Sequence, residues 1–188
     1  MVIETVSDSE HPRNIRVLEA DDATAWSELR MEALERELDA FGSSVEDHRK
    51  LSLDTIQSRL AHDPQNKFVL GAFADGKLIG SAGLVREANI KERHKAWVWG
   101  VYVNAGWRGK HIGRDLMRAL LDRAAGMNGL EQITLRVSGT QAAALQLYRS
   151  LGFEPFGREP KALKVGDHYI DEEYMVLHLA STADPSSA

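Results

Sequence analysis

The sequence predicts a single α/β domain built around a mixed sheet. Segments with strand-like and helix-like patterns alternate along the 188 residues. Two apolar runs, 68–74 and 78–85, are joined by Asp75 and Gly76. An Asp-Gly pair between apolar runs is a strong hairpin signal, because both positions tolerate positive φ. A hairpin makes neighbouring strands antiparallel, so it excludes a purely parallel sheet.

Before the hairpin we expect one strand and two helices. Asp21 and Asp22 can cap the first helix, and Ser44 followed by Asp47 indicates the start of the second. The predicted bounds are a strand over 15–19, a helix from the first cap to about residue 38, and a helix from the second cap to about residue 61.

After the hairpin, strands and helices continue to alternate. A β-branched run predicts a strand over 97–103, and apolar residues on one face predict a helix from about residue 112. The other predicted elements are a strand over 132–137, a helix over about 140–151, and strands near 153–157 and 169–179. We expect the chain to comprise a loose leader over 1–14, one domain over 15–180 and a disordered tail over 181–188.

Composition sets limits on function. The chain has a formal net charge of −5 and no cysteine. It lacks the basic balance that non-specific nucleic-acid binding requires. Without cysteine there is no disulfide, no cysteine-ligated metal and no acyl transfer through an enzyme thiol. No apolar run is as long as a membrane span, and the amino terminus is unlike a signal peptide. We therefore expect a cytoplasmic protein that binds neither nucleic acid nor membrane.

A glycine-rich, basic segment between a strand and a helix predicts an anion site. Residues 101–114 begin in the strand and contain a cluster of Arg108, Gly109, Lys110 and Gly113. Backbone N–H groups at a helix start have no intrahelical partner and carry the positive end of the helix dipole. The glycines let an anion approach the backbone and the two cations add charge, so the segment can hold a diphosphate.

A second block follows the next predicted strand. It consists of Gln141, Ala144, Leu147, Tyr148, Gly152 and Phe153. Together the two blocks resemble the GCN5-related N-acetyltransferase (GNAT) family over roughly residues 15–179. The first block is similar to the family's Arg/Gln-x-x-Gly-x-Gly/Ala loop, with His111 where the middle glycine usually stands. The second is similar to its Asn-x-x-Ala-x-x-Leu-Tyr…Gly-Phe helix, with Gln141 in place of the asparagine.

The resemblance implies a GNAT-like acyl-CoA N-acyltransferase fold, with a mixed central sheet of about six to seven strands flanked by about four helices. It implies an acetyl-CoA-dependent N-acetyltransferase without a metal. The acetyl group would pass directly, in a ternary complex, to a primary amine of a small molecule, an amino acid, a peptide or a protein. The alternative is a non-catalytic acyl-CoA-binding or regulatory module on the same fold, of which His111 and Gln141 would be signs of drift.

The resemblance also implies the cofactor contacts. They are Val101, Tyr102, Val103, Arg108, Gly109, Lys110, His111, Ile112, Gly113, Arg114, Gln141 and Ala144. In the family, pantetheine lies where the strand splays from its neighbour. Gly100 indicates a bulge at that place, or it only makes room beside Trp97 or Trp99. His111 either points to water or places an imidazolium near the phosphates, and then affinity rises as pH falls through about 6.5.

Tyr148 matches the family's general acid, which protonates the departing CoA thiolate, and a phenol suits that task because it stays protonated at neutral pH. The alternative is a core tyrosine. The N–H of Val101 is our choice of donor to the oxyanion. Glu87 is the first candidate for the general base and His94 the second. The further candidates are His168 and Glu172.

The resemblance places the acceptor against the first two helices and the last hairpin, with Arg30, Phe41 and Ser43 as its contacts. Two charge patterns point to different acceptors, and both are equally explained by pairing on a helix surface. Arginines able to bind a carboxylate are Arg30 and Arg36, and acids able to attract an amine are Glu35, Glu37, Glu46, Glu172 and Glu173. We also expect a homodimer, formed through the aromatic strand at 97–102 or the last strand.

Overall fold

A computed structural model describes residues 14–179 of the chain. The predicted leader, apart from Asn14, and the predicted tail lie outside the described residues. A seven-stranded sheet in the order β1-β2-β3-β4-β5-β7-β6 forms the centre of the domain. The strands are β1 (Asn14–Val17), β2 (Lys67–Ala74), β3 (Lys77–Arg86), β4 (Lys95–Val103), β5 (Gln132–Ser138), β6 (Glu154–Val165) and β7 (His168–His178).

The sheet is mixed, as the sequence predicts. Among the described strands, β4 and β5 form the one parallel pair, and the other neighbours are antiparallel. The predicted hairpin joins β2 to β3 at Asp75 and Gly76, whose φ angles are 50° and 74°. Both residues are therefore left-handed, which is the geometry that an Asp-Gly turn favours between twisted strands.

Five α-helices surround the sheet, one more than the sequence predicts. They are α1 (Ala23–Arg36), α2 (Val45–Arg49), α3 (Leu53–Leu60), α4 (Ile112–Ala125) and α5 (Ala142–Ser150). The prediction of one helix from Ser44 to about residue 61 is wrong, because Ser52 caps a new helix. The Oγ of Ser44 accepts from the N–H of Asp47 at 3.0 Å, and the Oγ of Ser52 accepts from Thr55 at 3.2 Å. Two caps so close together end one helix and begin another.

Asp22 does not cap α1 in the predicted way. Its side chain makes no capping bond to α1, and instead accepts from the guanidinium of Arg16 at 2.7 and 2.8 Å. The same carboxylate accepts from the N–H of Glu19 at 2.8 Å. Asp22 therefore fastens β1 to the turn that precedes α1.

The helices cover both faces of the sheet. The helices α4 and α5 bury apolar side chains against β2 to β5 in the main core. On the opposite face, α1 and α3 pack on a second cluster that includes Trp26, Val69 and Trp99. Along β5, Ile133, Leu135 and Val137 belong to the main core, so the side chains between them point to the face of α1.

Candidate active site

The centre of the site is a gap between two strands. Pairing of β4 with β5 ends at Trp97 and Thr134, although both strands continue. Gly100 has a φ of 63°, and the register between β3 and β4 shifts between Ser81 and Gly83. The bulge expected at Gly100 is thus present in the structure. It turns the second half of β4 away from β5 and leaves one edge of each strand without a strand partner.

This gap opens into a cleft with a volume of about 670 Å³. Most of the predicted cofactor contacts line it, and Lys110 does not. The lining residues among them are Val101, Tyr102, Val103, Arg108, Gly109, His111, Ile112, Gly113, Arg114, Gln141 and Ala144. Tyr148 and Phe41 line the same cleft. The structure therefore brings residues from β4, β5, α4, α5 and three connecting segments to one place.

The loop before α4 has the geometry of an anion site. Gly109 has a φ of 77°, and an added Cβ there would meet no atom within 4 Å. His111 is the N-cap residue of α4 and is also left-handed, at φ 62° and ψ 6°. The first turn of α4 therefore presents unpaired N–H groups to an open space. The conformation explains why a glycine usually stands at the place of His111, since left-handed backbone is strained for residues with a Cβ.

The side chains at positions 108, 110 and 111 differ in their surroundings. The Nη2 of Arg108 lies 2.7 Å from Oε1 of Glu37, and its Nε donates to the carbonyl of Val103 at 3.3 Å. The ammonium of Lys110 lies 4.6 Å from the centroid of the Trp107 ring. The His111 side chain is exposed at the edge of the cleft. One of the two predicted phosphate cations thus already has a carboxylate partner.

Glu37 is a site residue that the sequence reasoning did not connect with the phosphate loop. It follows the last residue of α1, and its Oε2 accepts from Nε2 of Gln141 at 3.5 Å. It therefore joins α1 to both predicted cofactor motifs. No local pattern identifies this contact, because its three members are far apart in the chain.

A second link ties α1 to β4. The hydroxyl of Tyr102 donates to Oε1 of Glu32 at 3.0 Å, and Nδ2 of Asn104 donates to the other oxygen at 2.7 Å. Burial, and then the hydrogen bond with Glu32, raise the pKa of Tyr102 to about 12. The Tyr102 side chain is therefore tied to α1, and its backbone is paired with Ser81 of β3.

Tyr148 combines a core position with a place in the cleft. Its ring packs edge-on against Phe153 with centroids 5.9 Å apart, and the residue is buried. Its hydroxyl has no hydrogen-bond partner in the part of the chain that the structure describes. Burial raises the pKa of Tyr148 above its usual range. The hydroxyl is therefore protonated at neutral pH and can donate a proton.

The structure does not bring Glu87 and His94, the preferred general-base candidates, to the cleft. The N–H of Glu87 donates to the carbonyl of Lys95 at 2.9 Å, and the carbonyl of His94 accepts from Gln132 at 3.1 Å. Both residues therefore lie at the start of β4, where it is paired with β5. Val101 is about 20 Å further along the strand at the usual rise per residue. Neither side chain lines the cleft.

Glu172 is the base candidate that lies beside the cleft. It is directly opposite Ser138 in the pairing of β5 with β7, and its side chain is 8% exposed. Its Oε2 lies 3.6 Å from Nη1 of Arg136. Ser138 and Arg136 both line the cleft. Cross-strand partners share a face, so Glu172 points to the same side of the sheet as these two residues. By contrast, His168 is exposed at the start of β7.

Only some of the predicted acceptor contacts lie at the cleft. Phe41 lines the cleft, and the guanidinium carbon of Arg30 lies 4.2 Å from the centroid of its ring. Ser43 is exposed and does not line the cleft. A Cβ added to Gly42 would lie 3.8 Å from Leu163 of β6. The loop between α1 and α2 therefore lies against the β6–β7 hairpin on the acceptor side.

Two further observations concern metals and membranes. Residues 14–179 contain no group of three or more His, Cys, Asp or Glu side chains arranged to hold a metal ion. Within the same range, no helix is long and apolar enough to cross a membrane.

The fold and the cleft together define a class. A mixed sheet whose parallel strands β4 and β5 separate, a glycine-rich loop before α4 and Tyr148 in the lining of the gap form the arrangement that the resemblance to the acetyltransferase family implies. The model of the acetyltransferase (GNAT) family matches residues 25–153. The chain belongs to this family. Its membership confirms the family predicted from the two motifs, and it agrees with the predicted acetyltransferase function and acetyl-CoA cosubstrate.

Two of the curated relatives have names that specify different acceptors. The chain is 35% identical over 82 residues to the L-methionine sulfoximine/L-methionine sulfone acetyltransferase of Pseudomonas paraeruginosa, covering 44% of this chain and 47% of the relative. It is 36% identical over 102 residues to the N-alpha-acetyltransferase RimI of Mycobacterium tuberculosis, covering 54% and 61%. The chain thus spans about half to three fifths of the length of these relatives.

Solved structures confirm the fold. A putative acetyltransferase from Salmonella typhimurium, determined with its cofactor acetyl-CoA, superposes with a TM-score of 0.77. The match covers 94% of this chain and 99% of the other, at 24% sequence identity. The predicted α/β class, mixed sheet and GNAT-like arrangement are therefore correct.

Proposed function

We propose that this protein is an N-acetyltransferase that moves the acetyl group of acetyl-CoA to a primary amine by direct transfer. The observation that carries the proposal is the splayed gap between β4 and β5. It has the anion-binding loop at its mouth and the unbonded hydroxyl of Tyr148 in its lining. A binding module would need the gap and the loop, whereas the placement of a buried, protonated phenol in the gap supports catalysis.

The residues present fit acetyl-CoA. The backbone around Gly109 is open to a ligand, since an added Cβ meets nothing within 4 Å, and α4 starts with N–H groups that suit a diphosphate. Val101 and Val103 lie on the part of β4 that has no partner on β5, so their backbone groups can pair with pantetheine. When bound, acetyl-CoA supplies an activated thioester and a leaving thiolate.

Each chemical step has a candidate residue. Glu172 accepts a proton from the acceptor ammonium, directly or through water, which gives a neutral amine able to attack the thioester carbon. The N–H of Val101 donates to the oxygen that becomes negative when the C–N bond forms. Tyr148 gives its proton to sulfur as the C–S bond breaks. The products are an N-acetylated amine and CoA, and no enzyme thiol is needed.

The acceptor belongs to one of two classes. One relative's name specifies amino-acid analogues, and the other's specifies an α-amine. In both kinds of acceptor the primary amine is bonded to the carbon that bears the carbonyl group. We propose an acceptor of this kind, bound between Phe41 and the β6–β7 hairpin. We further propose that the protein acts in the cytoplasm as a homodimer.

The first test is calorimetric titration of acetyl-CoA into the protein and into an Arg108→Glu, Gly109→Asp double variant. Micromolar binding that is lost in the variant supports the loop as the phosphate site. Amine-dependent release of CoA then separates the enzyme from a binding module. A thiol reagent detects this release without background, because the chain has no cysteine. A well-folded protein that does not bind acetyl-CoA would contradict the proposal.

A further inference from the structure

Arg30 is a partly buried cation on which no carboxylate of the described residues acts. It lies in α1, and its Nη1 is buried with no hydrogen-bond partner among the described residues. Burial, and then the nearby Arg59, lower the pKa of Arg30 to about 10, and no carboxylate acts on it. The guanidinium is therefore still charged at neutral pH. An uncompensated buried charge is costly and marks a place where function uses the charge.

No hydrogen bond from the described residues engages the guanidinium of Arg30, whose Nη1 is buried while the residue as a whole keeps some exposed surface. Its Cζ lies 4.2 Å from the centroid of the Phe41 ring, which occupies a face of the guanidinium. The five N–H donors of an arginine lie in the plane of the group and point outward, where a carboxylate can bind two of them. Phe41 lines the cleft, so the cation packs against a residue of the cleft wall.

The other groups near Arg30 make its surroundings positive. Arg59 of α3 adds a second cation. His48 of α2 lies 3.0 Å from the hydroxyl of Ser27, and burial together with Arg30 lowers the pKa of His48. The imidazole is therefore neutral at pH 7. A ligand near Arg30 meets a net positive field, which favours an anion and disfavours a polyamine or a lysine side chain.

We propose that Arg30 binds the carboxylate of the acceptor, and that the acceptor is therefore a free amino acid. This inference rests on the proposed function. A carboxylate held at Arg30 positions the neighbouring amine in the part of the cleft that Phe41 lines. The amino terminus of a peptide has an amide where the amino acid has its carboxylate, so it cannot satisfy the buried guanidinium.

The test compares matched acceptors in wild type and in three variants. The probes are the twenty common L-amino acids, their L-amino acid amides and two short peptides with free amino termini. CoA release gives kcat and KM, and thermal shift in the presence of CoA measures binding without turnover. The variants are Arg30→Met and Arg30→Lys, with Arg49→Met as the control, since Arg49 is an exposed arginine paired with Glu35 on the same side of the domain.

We expect the best amino acid to exceed its amide in kcat/KM by about tenfold or more. Arg30→Met should abolish this preference by raising KM for the acid, without changing acetyl-CoA affinity. Arg30→Lys should restore part of it, and Arg49→Met should match wild type. Arg30→Met should also keep or raise the melting temperature of the free protein, because it removes an uncompensated buried charge.

Equal activity on acids and amides, or an unchanged KM in Arg30→Met, would overturn the inference. Acetylation of peptides alone would overturn it and leave the proposed function standing. If no amine supports CoA release, the proposed function fails. The thermal shifts then decide the inference separately, since an absence of carboxylate-dependent stabilisation would refute it.

Discussion

The carboxylate of Glu37 joins the two motifs of the proposed cofactor site. One oxygen pairs with Arg108 at 2.7 Å, and the other accepts from Gln141 at 3.5 Å. The carboxylate therefore competes with a phosphate for Arg108 and adds negative charge where an anion is expected. The contact also connects the end of α1, which flanks the acceptor side, to the cofactor side of the cleft.

Glu37→Gln should tighten acetyl-CoA binding by about twofold to fivefold, the range expected for a partly exposed ion pair. The substitution releases Arg108 and removes a negative charge from the mouth of the cleft. Calorimetry at low and at moderate salt measures the change, which salt should reduce. Glu35→Gln is the control, because Glu35 pairs with Arg49 away from the cleft. Weaker binding of acetyl-CoA to Glu37→Gln would show instead that Arg108 and Glu37 bind the ligand together.

Tyr148→Phe should lower kcat by about a hundredfold, as expected for loss of a general acid. The ring and its contact with Phe153 are retained, so stability and acetyl-CoA affinity should change little. CoA release by a thiol reagent gives kcat, and Tyr169→Phe, at an exposed position in the last hairpin, serves as control. Full turnover in Tyr148→Phe would assign the residue to packing.

Glu172→Gln should reduce kcat/KM by roughly a hundredfold near neutral pH. The loss should shrink as pH rises toward the pKa of the acceptor amine, since the amine then needs no base. The control is the adjacent Glu173→Gln, because Glu173 lies on the opposite face of β7, 3.5 Å from Arg149. A pH–rate profile for both variants measures the difference. Equal losses in the two would exclude Glu172 as the base.

His111→Gly should stabilise the protein by about 1 kcal/mol, because it removes the strain of left-handed backbone at a residue with a Cβ. This gain exceeds the stability that is lost because glycine increases the conformational entropy of the unfolded chain. Gly109→Ala should have the opposite effect, since the φ at this position is 77°. Urea denaturation measures both.

The dissociation constant of acetyl-CoA at acidic and at alkaline pH tests the hypothesis that the His111 imidazolium lies near the phosphates. Equal pH slopes in wild type and His111→Ala would remove it.

The pair between Arg16 and Asp22 should make stability depend on pH in the acid range. The hydrogen bond from Arg16 holds the pKa of Asp22 below its ordinary value. The stabilisation is therefore present above the unfolded pKa and is lost as pH falls through the lower folded value. Asp22→Asn should cost up to about 1 kcal/mol at pH 7, given the partly exposed partner. The cost should shrink as pH falls through the lowered folded pKa of Asp22, and a constant difference across the acid range would contradict the pairing.

Local signals predicted much of the fold and most of the residues that the structure brings together in the cleft. The Asp75-Gly76 turn, the caps and the glycine-rich loop act within a few residues, so the sequence shows them directly. The sequence did not predict the break between α2 and α3, because Ser52 resembles an ordinary polar residue within an apolar pattern. The contacts of Glu37 and the place of Glu172 depend on strands and helices that are far apart in sequence. Glu87 was misplaced because its position at a strand end does not say which end of the sheet faces the cleft.

The short parallel pairing of β4 with β5 has a consequence for dynamics. Three residue pairs, from Lys95 to Trp97 with Gln132 to Thr134, join the two halves of the sheet. A ligand that pairs with the free edge of β4 completes the hydrogen bonding between the halves and binds only the folded state. The amide hydrogens of Val101 and Val103, on the half of β4 that β5 leaves unpaired, should therefore exchange quickly in the free protein and slow markedly on addition of CoA. Those of β2 and β3, which are paired on both edges, should change little.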